Sequence, residues 1–140
     1  MMENEINIIF PITIFYDASC PLCAAEMHTL KETDTENKLI LVDCSSAQFI
    51  EPAFCPITQA DMMSRIHAQD AAGQWISGVD VFAIAYQASG FTRLGKFWGK
   101  PQLRPIFNYL YPMIADNRYW LSKTPLPYLL NKLMRLFAPS

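Results

Sequence analysis

The sequence is poor in the side chains from which metal sites are built. It has four cysteines and two histidines in 140 residues. A structural zinc site takes four such ligands. Outside the Cys20/Cys23 pair, the side chains that remain are Cys44, Cys55, His28 and His67. None of these forms a second Cys-x-x-Cys or a His-x-x-x-His. No metal is therefore predicted, and a small zinc-binding domain using Cys20, Cys23 and Cys44 is kept as an alternative.

Long apolar runs are also missing. No uninterrupted run approaches the ~18 residues of a membrane-spanning helix. The first residues include Glu3 and Glu5, contain no Lys or Arg, and lead into an apolar stretch broken by Pro11, which does not fit a secretory signal. We therefore predict a cytoplasmic protein. In a reducing compartment the cysteines are expected to be catalytic, metal-binding or simply buried rather than structural disulfides.

Acidic and basic residues are unevenly distributed along the chain. Residues 1–90 hold 12 acidic and 3 basic residues, a balance of −9, whereas residues 91–140 hold one acidic and eight basic residues, a balance of +7. We expect basic C-terminal helices to pack on the acidic half of the same domain. Membrane-surface contact by these helices, or a non-catalytic module that docks an acidic partner, is the alternative. No segment resembles a nucleic-acid-binding motif.

The most informative feature that is present is the Cys-x-x-Cys of residues 20–23, at a junction between a strand and a helix. Residues 8–10 and 12–16 are mainly β-branched and aromatic, and residues 24–32 contain good helix formers without Gly or Pro. With Cys20 as N-cap, Pro21 takes the first helical position, where its missing N–H costs nothing. Cys23 then lies one turn further along, beside Cys20.

This placement suits thiol-disulfide exchange. The unpaired N–H groups and positive dipole end of a helix can lower a cysteine pKa from about 8.5 to as low as about 3.5. We predict that Cys20 attacks a disulfide and that Cys23, the more buried of the two, resolves the mixed disulfide. The expected partner is a protein or small-molecule disulfide or dithiol, and no cofactor is predicted.

The remaining pattern predicts an α/β domain. Residues 38–43 read as a second strand, parallel to the first, which brings Asp43, Cys44 and Ser45 near the cysteine pair at the carboxyl edge of the sheet. A buried, purely structural Cys44 is the favoured interpretation. Segments 63–68 and 74–77 around the turn at residues 70–73 predict a hairpin, which completes a four-stranded mixed sheet.

Helices are expected after this sheet. Apolar spacing predicts one over residues 79–88 and another over 128–137. From residue 101 onward, Pro105 and Pro112 predict either two short helices or one kinked helix. We expect one domain over residues 1–140, with its core at about 6–90 and a helical C-terminal addition at about 100–138.

Three segments together resemble one family. They are Asp17-Ala18-Ser19-Cys20-Pro21-Leu22-Cys23, the hairpin and helix start from Asp70 to Asp80, and Tyr111-Pro112-Met113-Ile114-Ala115-Asp116-Asn117-Arg118-Tyr119. The chain is similar to the DCC family of predicted thiol-disulfide oxidoreductases, also catalogued as domain of unknown function 393. The resemblance implies a thioredoxin-like fold and redox activity through the Cys-x-x-Cys. Thioredoxins place a cis-proline at the start of the third strand, but this chain has no proline between Pro56 and Pro101, so substrate docking by that route is not expected.

Asp17 is the third candidate catalytic residue. As a partly buried carboxylate at the end of a strand, it is expected to have a raised pKa and to take the proton of Cys23 during resolution. An equally simple role is to accept backbone N–H groups of the turn. For Asn117 and Arg118 we expect structural packing, with anion binding as the alternative.

Overall fold

The fold is taken from a computed structural model that describes residues 7–52 and 55–138. Residues 1–6, which include the Glu3 and Glu5 used to argue against a secretory signal, lie outside the described residues. In the two described stretches, no helix combines the length and apolarity needed to cross a membrane. Cytoplasmic location and the domain boundaries stay predictions.

A four-stranded mixed sheet forms the centre of the molecule. Its strands are β1 (Ile12–Tyr16), β2 (Leu39–Asp43), β3 (His67–Gln69) and β4 (Trp75–Ser77), in the spatial order β2-β1-β3-β4. β1 and β2 are parallel, and β3 runs antiparallel to both β1 and β4. The predicted α/β class, with a four-stranded mixed sheet of thioredoxin-like form, is confirmed.

Helices cover both faces of this sheet. In the described residues they are α1 (Pro21–Glu32), α2 (Gln59–Ser64), α3 (Val79–Ala88), α4 (Thr92–Trp98), a 3₁₀ turn (Pro101–Leu103), α5 (Arg104–Asp116), α6 (Arg118–Ser122) and α7 (Leu126–Leu136). The helix predicted over residues 79–88 is confirmed at both ends. Of the two predictions after residue 101, the structure agrees with one helix, since α5 runs on through Pro112, and the kink expected in it stays a prediction.

The alternation of side chains along β1 divides the core into two layers. Ile12, Ile14 and Tyr16 are buried against α1, α3 and α7, in a cluster that includes Leu30. Phe15 points to the opposite face and packs in a smaller cluster built around α2. Such burial on both faces is expected of a central strand, because successive side chains point to opposite sides.

The predicted hairpin is present as the antiparallel pair β3 and β4, but the start of its first arm is wrong. Residues 63 and 64, predicted as strand, belong to α2, and β3 starts only at His67. A capping box explains the difference: Thr58 Oγ1 accepts the Asp61 N–H at 3.1 Å, and the Asp61 carboxylate accepts the Thr58 N–H at 3.1 Å. These paired bonds satisfy N–H groups that a strand would leave free, so they begin a helix. The second arm, β4, is confirmed.

The basic C-terminal half packs on the acidic N-terminal half, as predicted from the charge pattern. Ion pairs join Arg104 to Asp80 at 2.7 Å, Arg118 to Asp17 at 3.2 Å and Arg135 to Glu32 at 3.8 Å. Several large apolar side chains on α5–α7 remain exposed, among them Tyr109, Met113, Trp120, Leu129 and Leu136. Membrane-surface contact by these helices stays a prediction.

Candidate active site

The two cysteines lie at the N-terminus of α1, as the sequence predicts. Cys20 is the N-cap, with φ −94° and ψ 112°, and Pro21 follows in the first turn. The Sγ atom of Cys20 accepts the backbone N–H of Cys23 at 3.3 Å. Both thiols are free. The pair is therefore held in its reduced form with one sulfur pointed at the open end of the helix.

The two thiols have opposite electrostatic environments. Hydrogen bonds from the Cys23 thiol, and smaller ones from Ser122 and the Cys23 N–H, outweigh burial and lower the pKa of the Cys20 thiol to about 6. The same hydrogen bond to Cys20, together with burial, raises the pKa of Cys23 far above its usual range. Cys20 is therefore the more acidic thiol and the candidate nucleophile, and Cys23 is the less acidic one.

The Asp17 carboxylate is held in a dense set of donors. It accepts the Ser19 N–H at 3.0 Å, the Ser19 and Tyr119 hydroxyls, and the Arg118 Nε and Nη2 atoms at 3.2 Å each. Burial alone would raise its pKa, but these hydrogen bonds outweigh burial and hold the pKa of Asp17 below its usual range. The expectation of a raised pKa is therefore wrong, and the carboxylate is a weak base.

Arg118 fixes helix α6 against the turn that carries the cysteines. Besides Asp17, it donates to the backbone carbonyls of Met63 at 2.6 Å and Ala115 at 2.8 Å. The Arg118 and Asp17 side chains are only 14% and 4% exposed. The structural role expected of Arg118 is thus confirmed, because its donors are occupied by the chain's own oxygens.

Helix α6 also covers the candidate nucleophile. Ser122 Oγ lies 3.5 Å from Cys20 Sγ and accepts the Leu22 N–H at 3.2 Å. Tyr119 Oη lies 3.2 Å from Ser19 Oγ on the same turn. Cys20 has no exposed surface, whereas Cys23 is half-buried. The order of burial is therefore the reverse of the prediction, which had Cys23 as the more buried thiol.

Glu26 is a candidate site residue that sequence reasoning missed. It follows Cys23 by three residues, so both lie on the same face of α1. Burial, opposed by a hydrogen bond with Tyr86 and assisted by the charge of Cys20, raises the pKa of Glu26 to about 7. Its Oε1 atom is buried and accepts no hydrogen bond from the described residues. The available signal was a lone acid one turn after Cys23, in an otherwise apolar stretch.

The end of β2 approaches the turn as predicted, but Cys44 does not join the pair. Asp43 Oδ1 accepts the Ala18 N–H at 3.1 Å, whereas Cys44 Sγ donates to the Tyr16 carbonyl at 3.1 Å inside the smaller core cluster. Burial raises the pKa of Cys44 to about 11. Across residues 7–52 and 55–138, no three His, Cys, Asp or Glu side chains assemble as a metal site, so the zinc alternative gains no support.

The backbone N–H just before β3 is bound by a side chain from another part of the chain. Ile66, which precedes β3, donates its N–H to the Tyr111 hydroxyl of α5 at 2.7 Å. Thioredoxins have their cis-proline at the start of this strand. In this chain the N–H before β3 is instead bound by a side chain of α5, and the loss of that docking route stays a prediction.

A cavity of about 350 Å³ opens beside the cysteine pair. Cys23 and Glu26 line it, and Cys20 does not. Its walls are mostly apolar and include Phe82, Trp98 and Phe107, whose rings pack against one another with centroids 4.9–5.4 Å apart. The site can thus bring a small apolar molecule to Cys23 while Cys20 stays covered.

Comparisons with known proteins agree with this chemistry. A region of an uncharacterized chloroplastic protein of Arabidopsis thaliana is 31% identical over 80 residues, which cover 56% of this chain and 37% of that protein. The aligned part therefore represents well under half of the relative. No solved structure matches the chain significantly. The model of the DCC1-like thiol-disulfide oxidoreductase family matches residues 14–124, and the chain belongs to this family.

Proposed function

We propose that the protein is a thiol-disulfide oxidoreductase that exchanges disulfides with dithiol or disulfide substrates through Cys20 and Cys23. The observation that carries this proposal is the position of Cys20 at a helix N-cap, where its sulfur accepts the Cys23 backbone N–H at 3.3 Å and lies 3.5 Å from the Ser122 hydroxyl, contacts that are among those lowering its pKa. A stabilised thiolate is both the attacking nucleophile and the better leaving group in exchange. A cytoplasmic location remains part of the proposal.

In the reductive direction, α6 moves away from Cys20, and the Cys20 thiolate attacks a substrate disulfide, forms a mixed disulfide and releases one substrate thiolate. Cys23 then loses its proton and attacks the Cys20 sulfur, which releases the second substrate thiolate and leaves the Cys20–Cys23 disulfide. We assign the proton transfer to Glu26, because its pKa of about 7 suits a group that takes and returns a proton at neutral pH.

Asp17, the catalytic base predicted from the sequence, takes a positioning role in this proposal. Its carboxylate is engaged by Arg118, Ser19 and Tyr119, so it orients the turn before Cys20 and holds α6 over the thiolate. A carboxylate whose pKa lies below the usual range is a poorer proton acceptor than Glu26.

A redox titration tests the function. The protein is equilibrated in dithiothreitol buffers and free thiols are counted by alkylation and mass spectrometry. We expect one internal disulfide that Cys20→Ser and Cys23→Ser abolish and that Cys44→Ser, the matched buried control, retains. Failure to form this disulfide, or its persistence in Cys20→Ser, would refute the proposal.

The titration also gives a reduction potential. The lowered pKa of Cys20 stabilises the thiolate and so favours the reduced form of the pair. We therefore expect a potential above the thioredoxin value of about −270 mV. A value well below that of thioredoxin would contradict the stabilised thiolate.

A further inference from the structure

The cavity and the cysteine pair meet at one sulfur only. Cys23 lines the cavity, whereas Cys20 is fully covered by α6 and does not reach it. A molecule inside the cavity can therefore react with Cys23 but not with Cys20. Cys20 and Cys23 are therefore expected to react with different partners.

We infer that the cavity binds a small, uncharged, apolar dithiol, which reduces the Cys20–Cys23 disulfide by attacking the sulfur of Cys23. This inference rests on the proposed function and names the substrate class for one half of the redox cycle. It is carried by the position of Cys23 in the wall, the covered Cys20, and the unpartnered carboxyl oxygen of Glu26.

The size and lining of the cavity define the ligand. A volume of about 350 Å³ lies at the lower end of the 300–1,000 Å³ typical of small-molecule pockets, so the cavity admits a small molecule and not a folded protein. The two cationic side chains in its wall are already paired: Arg118 binds Asp17, and Arg65 binds Asp116 at 2.8 Å. A charged thiol such as glutathione finds no free counter-charge there.

Glu26 brings a buried polar atom to the wall of the cavity. Oε1 is buried and accepts no hydrogen bond from the described part of the chain, and the residue lines the cavity beside Cys23. A buried polar atom without a partner is costly, and a ligand thiol placed against it would supply the missing donor. The attacking sulfur and its proton acceptor are thereby brought together.

The reaction balances with these groups alone. One thiol of the ligand gives its proton to the Glu26 carboxylate, its sulfur bonds to Cys23, and the bond between Cys23 and Cys20 breaks, releasing Cys20 as a thiolate. The second ligand thiol loses its proton to water and attacks the first ligand sulfur. Cys23 then leaves and takes the proton from Glu26. The dithiol is oxidised by two electrons, the protein disulfide is reduced, and one proton is released.

The acidity of the two cysteines favours this direction of attack. A thiol of lower pKa leaves faster, and a departing Cys20 thiolate keeps the Cys23 backbone N–H and the Ser122 hydroxyl as partners, both of which lower its pKa. Attack on Cys23 therefore expels the better leaving group. Attack on Cys20 would expel the poorer one and would require α6 to move.

The experiment uses the full-length oxidised protein and two probes: reduced lipoamide, which is an uncharged apolar dithiol, and glutathione. Leu110→Trp fills the cavity from α5, and Ile114→Trp is a second filling variant. Leu136→Trp is the matched control, since Leu136 is 77% exposed on α7 and does not line the cavity. We expect reduction by lipoamide to slow by at least about tenfold in the filling variants, equivalent to about 1.4 kcal/mol, and to be unchanged in the control.

A redox-independent readout separates the cavity from the chemistry. Lipoamide binding is measured by calorimetry on the Cys20→Ser/Cys23→Ser protein, and we expect it to persist there and to be lost when Leu110→Trp is added. Folded filling variants that react at the wild-type rate would overturn the inference while the proposed function stands, and so would faster reduction by glutathione than by lipoamide. Absence of any Cys20–Cys23 disulfide in the wild-type chain would instead overturn both.

Discussion

Replacing Glu26 with glutamine should change how the stability of the protein depends on pH. The ordinary pKa of this carboxyl is 4.5, and burial raises it to about 7 in the folded chain. Below about pH 4.5 the group is protonated in both states and has no effect. Between about pH 4.5 and about pH 7 the unfolded state is ionised while the folded state still holds the proton, so the wild-type protein loses stability across this range, and the loss is complete above about pH 7.

The size of this loss follows from the two pKa values. A difference of about 2.5 pKa units, at 1.36 kcal/mol per unit, corresponds to about 3 kcal/mol. Glutamine cannot ionise, so Glu26→Gln lacks this pH-dependent term. Relative to wild type, its free energy of unfolding should rise by about 3 kcal/mol between about pH 4 and about pH 8.

Urea unfolding of both proteins at several pH values is the assay. Cys20 acts in the opposite sense: its lowered pKa contributes stability that is present above about pH 9 and is lost as the pH falls through about 6. Because both proteins contain Cys20, most of this term cancels in their difference. Glu32→Gln serves as the control, since Glu32 is 62% exposed on the same helix. If the difference in unfolding free energy between Glu26→Gln and wild type does not vary with pH, the conclusion that Glu26 is a buried carboxyl that holds its proton is refuted.

Three further outcomes follow from the same contacts. Asp17→Asn should lower the free energy of unfolding by about 3 kcal/mol in thermal or urea unfolding, because it leaves Arg118, which is 14% exposed, without its counter-charge. If adding Arg118→Met recovers part of this loss, the pairing is confirmed. An unchanged stability would contradict it. Ser122→Ala should raise the pKa of Cys20 above about 6, measured by the ultraviolet absorbance of its thiolate, because one stabilising hydrogen bond is lost; an unaltered titration would contradict that bond. Gly95→Ala should lower the free energy of unfolding by about 1–3 kcal/mol, because the added Cβ would lie 2.9 Å from the Gln87 backbone nitrogen. Gly99→Ala, whose added Cβ has its nearest neighbour at 3.3 Å, should lower the free energy of unfolding less in the same assay.

The elements that could be predicted are those whose signals are local. The strand before Cys20 and the helix after it follow from β-branched residues, a proline at the first helical position and an uninterrupted run of helix formers. The helix from Val79 to Ala88 follows from apolar spacing. In each case neighbouring residues alone determine the structure, so the sequence pattern is sufficient.

The features that escaped prediction depend on contacts between distant residues or on competing local signals. Segment 59–64 was assigned in part to a strand because its cap, formed by Thr58 and Asp61, was given less weight than the hairpin pattern. The covered state of Cys20 depends on Ser122, 102 residues away. The shifted pKa of Glu26 depends on burial by several elements, which no single segment reports.

The Asp17–Arg118 pair explains why two of the segments that resemble the family work together. Asp17 belongs to the segment with the Cys-x-x-Cys, and Arg118 to the segment at residues 111–119, yet the two side chains form one buried ion pair. A buried pair whose remaining donors are also satisfied fixes geometry more than it adds stability. Here it fixes α6 over Cys20, because Arg118 also binds two backbone carbonyls while Ser122, one turn later, reaches the thiolate. The same arrangement that hides Cys20 leaves Cys23 and Glu26 facing the cavity. Access to the two sulfurs is therefore decided by the contacts that hold α6 over Cys20, with the Asp17–Arg118 salt bridge between distant parts of the chain among them. The reactivity of the pair cannot be understood from the Cys-x-x-Cys alone.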